Sequence, residues 1–153
     1  MTTTTTDTVK TLNDLIKINK DGEYGFRSCA EHAKSTQMKS LFERRAHECH
    51  AAAEILQEHV YEMGGSAEAR GSISGAVHRG WVALKSTLST YDDLALLEEC
   101  ERGEDAARDE YQEALRADLP MPIRNLVERQ YEAVQRNHEE IRALRDSAKA
   151  ARG

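Results

Sequence analysis

The feature that most constrains this chain is a set of four long stretches in which apolar residues recur at helical spacing without an intervening proline. Both prolines, Pro120 and Pro122, fall in the short segment LPMP, and a proline inside a helix breaks or kinks it. The stretches are rich in Ala, Leu, Glu, Arg and Lys, which favour helix. We therefore predict an all-α protein, and its 153 residues are the size of one domain.

The apolar stripes and the turn signals between them predict four helices, over residues 8–34, 36–63, 91–117 and from Pro122 to about 149. The polar segment KSTQ separates the first two helices, and Gly64 and Gly65 end the second. The Thr-rich residues 1–7 are predicted to be a disordered tail. Residues 8–150 then form a single four-helix-bundle domain.

The connection between the second and third helices, residues 64–90, is about 27 residues long, far above the usual two to eight for a bundle. Within it, Ile73, Val77, Trp81, Leu84 and Leu88 recur at helical spacing, which predicts a short helix laid against the bundle by Trp81. A link of this length lets the third helix run parallel to the second. Two antiparallel helical hairpins joined by one long crossover are the ferritin-like connectivity.

Each predicted helix carries a polar titratable residue on or beside its apolar stripe, namely Glu23, Glu48, Glu104 and His138. With the second and third helices parallel, their distances from the turns place all four at one level of the bundle. An unpaired carboxylate in an apolar interior protonates, pairs or binds a cation. Oxygen and nitrogen ligands suit iron, manganese or zinc, so a divalent metal site is one interpretation of this level.

The alternative interpretation is a buried ion-pair network without metal. Arg45, Arg108 and Tyr131 lie on the stripes near enough to the same carboxylates to pair with them. The spacing of the residues does not decide between a metal site and such a network.

Several segments carry a resemblance to known proteins: NDLIKINKDGEYGF, the GS and HRGW of the crossover, RGEDAARDEYQEAL, and NHEEIRALRD. Over nearly its whole length the chain resembles the ferritin-like superfamily, and within it a family of small bacterial four-helix-bundle proteins of unassigned function. Superfamily members with di-iron centres carry Glu in the first and third helices and Glu-x-x-His in the second and fourth. The resemblance implies metal ligands at Glu23, Glu48, Glu104 and His138.

Two ligands of the di-iron pattern are replaced in this sequence. Ala51 stands three residues after Glu48 where the pattern has His, and Gln135 stands three residues before His138 where it has Glu. Gln135 and His50 are therefore secondary ligand candidates, His50 only if the second helix is rotated. The resemblance implies the fold and a degenerate metal site rather than a full di-iron centre.

Composition narrows the function classes. A net charge of -6 without a basic cluster argues against nucleic acid as a partner. Neither a membrane-length apolar run nor a signal peptide is present, which predicts a cytoplasmic protein. Three cysteines without a CxxC pair predict reduced thiols.

We expect a binder of iron or another divalent metal with a role in metal handling or oxidative stress. The alternative is a metal-free interaction or stress-associated protein with a buried salt-bridge network. A homodimer is one candidate assembly.

Overall fold

The computed structural model describes residues 5–66, 81 and 92–152 of the chain. These residues form four helices and no strand: α1 (Thr5–His32), α2 (Thr36–Glu62), α3 (Asp93–Arg116) and α4 (Met121–Arg152). The all-α class and the four predicted helices are confirmed. Within the described ranges, no helix combines the length and the apolar character that crossing a bilayer requires.

The beginning of α1 corrects the predicted disordered tail. Helix α1 starts at Thr5, so residues 5–7 form its first turn instead of a tail. Asp7 places a carboxylate near the positive end of the helix dipole, and the side chain of Thr8 is buried, which together favour the early start. Residues 1–4 of the predicted tail lie outside the described residues, as do residues 67–80 and 82–90 of the predicted crossover.

The end of α2 follows the glycine signal in the sequence. Gly64 has a φ of 77°, a left-handed conformation that glycine adopts without steric cost. Its N–H donates to the carbonyl of Tyr61 (2.9 Å), and the N–H of Gly65 donates to the carbonyl of Val60 (2.9 Å). This pair of bonds is the Schellman motif, so the predicted C-terminal cap is confirmed.

Contacts at one end of the bundle fix the direction of α3. The carboxylate of Asp93, the first residue of α3, accepts hydrogen bonds from the backbone N–H groups of Lys34 (3.0 Å) and Ser35 (3.3 Å) in the α1–α2 turn. Helix α2 begins at this same turn, so α2 and α3 start at one end and run parallel. The predicted ferritin-like connectivity of two hairpins and a long crossover is confirmed.

The core consists of two apolar clusters, one toward each end of the bundle. One cluster contains Leu12, Leu15, Ile16, Ile18, Ala53, Leu56, Val60, Tyr111, Ala114, Leu119, Ile123, Leu126 and Val127. The other contains Phe26, Cys29, Ala30, Met38, Leu41, Phe42, Ala46, Trp81, Leu96, Leu97, Cys100 and Ile141. In their helices, Glu23, Glu48, Glu104 and His138 fall between the two clusters. A polar layer therefore divides the apolar interior at mid-height.

Trp81 anchors the crossover inside the second apolar cluster. Its side chain is buried and packs edge to face on Phe26, with ring centroids 4.9 Å apart. A Cβ added at Gly25 of α1 would lie 2.2 Å from the indole, and one added at Gly103 of α3 would lie 2.1 Å from it. Both helices therefore need glycine where the ring packs between them. The prediction that Trp81 lies against the bundle is confirmed.

Candidate functional site

The polar layer at mid-height contains the residues that the sequence singled out. Glu104 and His138 are buried, the side chain of Glu23 is 17% exposed and that of Glu48 is 47% exposed. Burial raises the pKa of the Cys49 thiol, and the charges of Glu104, Glu48 and Glu23 raise it further. Glu48 and Glu104 share Arg45 as a partner, whereas Glu23 and His138 pair with other residues.

Arg45 of α2 lies at the centre of this layer and is 2% exposed. Its guanidinium contacts Glu48 (Nη1 to Oε1, 2.9 Å), forms a short ion pair with Glu140 of α4, and lies 3.9 Å from Oε2 of Glu104 of α3. Its Nη2 also lies 3.5 Å from the carbonyl oxygen of Asn137. One buried cation thus joins carboxylates from three helices. Arg45 is one of the residues that the ion-pair interpretation proposed.

The pKa of Glu104 depends more on its burial than on the charged groups around it. Burial raises the pKa of its carboxyl to about 8; Arg45 opposes this rise, and the charges of Glu140, Glu48 and Asp105 add to it. At neutral pH the carboxyl is therefore mostly protonated. The close contacts of the guanidinium accordingly go to Glu48 and Glu140, whose side chains are each 47% exposed and remain hydrated on one side.

Glu23 forms a separate group on the side of α1 and α2. Its carboxylate accepts hydrogen bonds from Arg27 (3.0 Å) and pairs with Nδ1 of His50 (3.2 Å), while Nε2 of His50 lies 3.2 Å from Glu54. Partial burial alone would raise the pKa of Glu23, but the hydrogen bonds from Arg27 and His50 outweigh it and hold the pKa below its ordinary value. His50 therefore contacts Glu23, a proposed metal ligand, and does not bring it together with Glu104.

His138 and Gln135 of α4 also take partners away from the centre of the layer. Nε2 of His138 lies 2.5 Å from Oδ1 of Asp105. The exposed side chain of Gln135 donates to the hydroxyl of Tyr131 (3.2 Å). Neither residue contacts the guanidinium of Arg45 in the bonds described above, and Asp105 is a partner that the sequence reasoning missed.

These contacts test whether the layer fits a metal ion. In the part of the chain that the structure describes, no three His, Cys, Asp or Glu side chains are grouped so that they could hold one. The reason is chemical as well as geometric, because the cation at the centre of the carboxylates is the guanidinium of Arg45. A divalent ion placed there would face a fixed positive charge. The residues in this arrangement do not fit a resident metal.

A hydrogen-bonded chain beside the layer was not predicted from the sequence. Asn19 donates to the hydroxyl of Tyr111 (2.8 Å), which donates to Gln130 (2.7 Å). Glu140 was not predicted either, because it lies two positions after His138 and therefore on a different face of α4. In the sequence, Asn19 and Gln130 recur at helical spacing with the apolar residues of their helices, so a polar residue on an apolar stripe was the available signal.

We expect Glu104→Gln to change how stability depends on pH. Between about pH 4.5 and 8 the folded protein holds a proton on Glu104 that the unfolded chain releases, so the wild-type free energy of unfolding falls as pH rises through this window. The glutamine stays neutral and lacks this fall. At pH 8 the variant should be more stable than wild type by on the order of a few kcal/mol.

Urea denaturation at pH 5, 6.5 and 8 measures this difference, with Glu98→Gln on the exposed side of α3 as the matched control. The control should follow the wild-type pH curve. Parallel curves for Glu104→Gln and wild type would mean that Glu104 is ionised in the folded protein at neutral pH.

Several solved structures share this fold, and three of them are compared with the chain below. The dodecameric thioferritin of Bacteroides fragilis, a bacterioferritin-related protein, has a TM-score of 0.79 at 15% identity, with 97% of this chain and 90% of that chain covered. A Dps1 variant of Mycobacterium smegmatis has a TM-score of 0.76 at 12% identity (92% and 96% covered). Dps of Staphylococcus aureus has a TM-score of 0.75 at 15% identity (92% and 95% covered).

Identities this low establish the shared fold and leave function to the site. The predicted ferritin-like bundle is confirmed by these structures. No curated protein matches the sequence at a significant level. Residues 7–117, well over half of the chain, match the family described as "Domain of unknown function (DUF2383)". The chain therefore belongs to the DUF2383 family.

Proposed function

We propose that this protein is a metal-independent binding protein built on the ferritin-like bundle. In it, Arg45 supplies the positive charge that a metal ion would otherwise supply to the interior carboxylates. The observation that carries the proposal is the buried guanidinium in contact with Glu48 and Glu140 and 3.9 Å from Glu104. A buried ion pair survives only where the charges and their remaining hydrogen-bonding groups are satisfied, and Arg45 draws its partners from three helices.

The positions of the other proposed ligands support the same conclusion. Glu23 is held by Arg27 and His50, and His138 is held by Asp105. Bringing these side chains onto one ion would break both sets of contacts and would also require Arg45 to leave. The charges of the carboxylates are already paired without that rearrangement. The interior of the bundle therefore does not require a metal ion.

A second candidate function is the metal binding expected from the resemblance. One observation favours it: Oε1 of Glu104 is buried and has no hydrogen-bond partner among the described residues. In this candidate function, Arg45 moves away from the polar layer and iron or another divalent metal takes its place. The ligands would be Glu23, Glu48, Glu104 and His138, with Gln135 and His50 as secondary ligands. The role in metal handling or oxidative stress belongs to this candidate.

Thermal melting separates the two candidates. Wild-type protein is melted alone, with a chelator, and with added Mn²⁺, Zn²⁺ or anaerobic Fe²⁺. A metal present at 100 times its dissociation constant would stabilise the native state by about 2.7 kcal/mol, which is a rise of roughly 5–10 °C in Tm for a chain of this size. We expect no such rise. A rise with metal that is lost in Glu104→Ala would favour the second candidate.

The proposal keeps two predictions from the sequence. We propose that the protein acts in the cytoplasm and that it self-associates, with a homodimer as the candidate assembly. Size-exclusion chromatography with light scattering measures the mass of the assembly directly.

A further inference from the structure

A cavity opens beside the polar layer, between the two apolar clusters. Its volume is about 350 Å³. An engineered cavity of about 150 Å³ is enough to bind benzene, and sites for small molecules begin at about 300 Å³. The exposed side chains of Glu48 and Arg136 belong to the lining, so the cavity reaches solvent at that side. The space is large enough for a single ring with substituents.

The buried end of the cavity carries two polar atoms that lack hydrogen bonds. Glu104 is 6% exposed and Arg45 is 2% exposed, and both line the cavity. Within the described residues, Oε1 of Glu104 and Nε of Arg45 are buried without a hydrogen-bond partner. Leaving a buried polar group unpaired is unfavourable, so a bound group from outside the chain would be stabilised by pairing with them.

The chemistry of the two atoms selects the polar group of the ligand. Nε–H of Arg45 can only donate, whereas Oε1 of the neutral Glu104 carboxyl accepts, or donates where it carries the proton. A hydroxyl group fits both, because its oxygen accepts from Arg45 and the same group can either donate to Glu104 or accept from it. A cationic group cannot accept from Arg45 and would be repelled by it. The charge of Arg45 is already paired with Glu48 and Glu140, which leaves little net positive charge to hold an anionic group.

The walls of the cavity select the rest of the ligand. They include the aromatic side chains of Phe26, Trp81 and Tyr111 together with Ile18 and Val134. The hydroxyl of Tyr111 is already bonded to Asn19 and Gln130, which leaves its ring as an apolar surface. Aromatic rings pack favourably on such walls in edge-to-face or offset geometry.

We propose that this cavity binds a small uncharged aromatic alcohol, with the hydroxyl group between Arg45 and Glu104 and the ring against Phe26 and Trp81. The inference rests on the proposed metal-independent function, because it requires Arg45 to remain in the layer. The cavity proposal adds to that function a class of ligand and the site that binds it.

Isothermal titration calorimetry on the full chain with p-cresol, toluene, benzylamine and benzoate tests the proposal. We expect p-cresol to bind at least tenfold more tightly than each of the other three. Toluene has nearly the same shape and lacks only the hydroxyl group, so the ratio of the two affinities isolates the contacts with Arg45 and Glu104. Absence of binding by all four probes, or equal affinity for p-cresol and toluene, would overturn the proposal.

Variants locate the binding. Ala52 lines the cavity and the adjacent Ala51 is exposed, so Ala52→Leu and Ala51→Leu form a matched pair. The first should weaken p-cresol binding at least tenfold and the second should leave it unchanged. If Ala52→Leu does not fold, Ala133→Leu, at another lining position, replaces it. In Glu104→Leu the preference for p-cresol over toluene should disappear while toluene still binds.

The outcomes for this proposal and for the proposed function can be told apart. Wild-type protein that binds neither metal nor p-cresol would overturn only the cavity proposal. Wild-type protein stabilised by metal through Glu104 would overturn the metal-independent function itself, and with it the cavity proposal, which requires Arg45 to remain in the layer.

Discussion

Arg45→Met is expected to lower the free energy of unfolding by about 3 kcal/mol at pH 7. Removing one partner of a buried ion pair costs about 3–5 kcal/mol because the remaining charge is left without compensation. The lower end applies here, since the side chains of Glu48 and Glu140 are each 47% exposed and can hydrate once the guanidinium is gone. Methionine keeps most of the apolar volume of the arginine stem. Chemical denaturation measures the loss.

The neighbouring residue provides the control for Arg45. Arg44 is exposed and lies 3.5 Å from the same Glu140, so Arg44→Met removes a similar charge from the surface. Exposed ion pairs contribute less than about 1 kcal/mol, and the control should lose no more than that. If both variants lose the same small amount, Arg45 does not act as the buried cation of the layer.

Arg45→Met should also change how the melting temperature responds to added metal. Without the guanidinium, Glu48, Glu104 and Glu140 remain within reach of one former cation. Added Mn²⁺ or Zn²⁺ should then raise the Tm of Arg45→Met by mass action while leaving the wild-type Tm unchanged. An unchanged Tm in the variant would show that these carboxylates do not converge once Arg45 is removed.

Trp81→Ala is expected to lower the free energy of unfolding by about 3–5 kcal/mol, as large core truncations of Trp and Phe do. The ring is buried between Gly25 of α1 and Gly103 of α3 and contacts Phe26. No smaller side chain at position 81 can fill the space that the two glycines leave. A loss below about 1 kcal/mol in chemical denaturation would mean that the crossover does not anchor through this ring.

A double-mutant cycle with Gly103→Ala tests the packing more sharply. In the wild type, a methyl group at position 103 would meet the indole at 2.1 Å, so Gly103→Ala should cost at least about 1–3 kcal/mol. In the Trp81→Ala background the clash is absent, and alanine is the better helix former by about 1 kcal/mol. The sign of the Gly103→Ala effect should therefore reverse. An additive result would contradict this contact.

The fold was predictable because its signals are periodic and local. The apolar stripes placed all four helices, the Gly64 signal placed the end of α2, and the length of the crossover gave the parallel direction of α2 and α3. The start of α1 was missed because threonines have low helix propensity, whereas the structure begins the helix at Thr5. Tertiary contacts such as the burial of Thr8 override that weak preference.

The candidate site was only partly predictable. Helical geometry gave the level of Glu23, Glu48, Glu104 and His138, and it put Arg45 among the residues able to pair there. It did not give their partners, because a long side chain can reach several neighbours and the choice depends on rotamers and on adjacent helices. Glu140 and Asp105, which lie away from the expected inner positions, became visible only in the structure.

The most direct test of the central claim is the metal content of the protein. Elemental mass spectrometry is applied to protein purified without a histidine tag, before and after anaerobic loading with ferrous iron followed by air. If Arg45 is the cation of the polar layer, wild-type protein contains no metal above background in either sample. Near-stoichiometric metal that is lost in Glu104→Ala would contradict the account and would make the interior carboxylates a metal site.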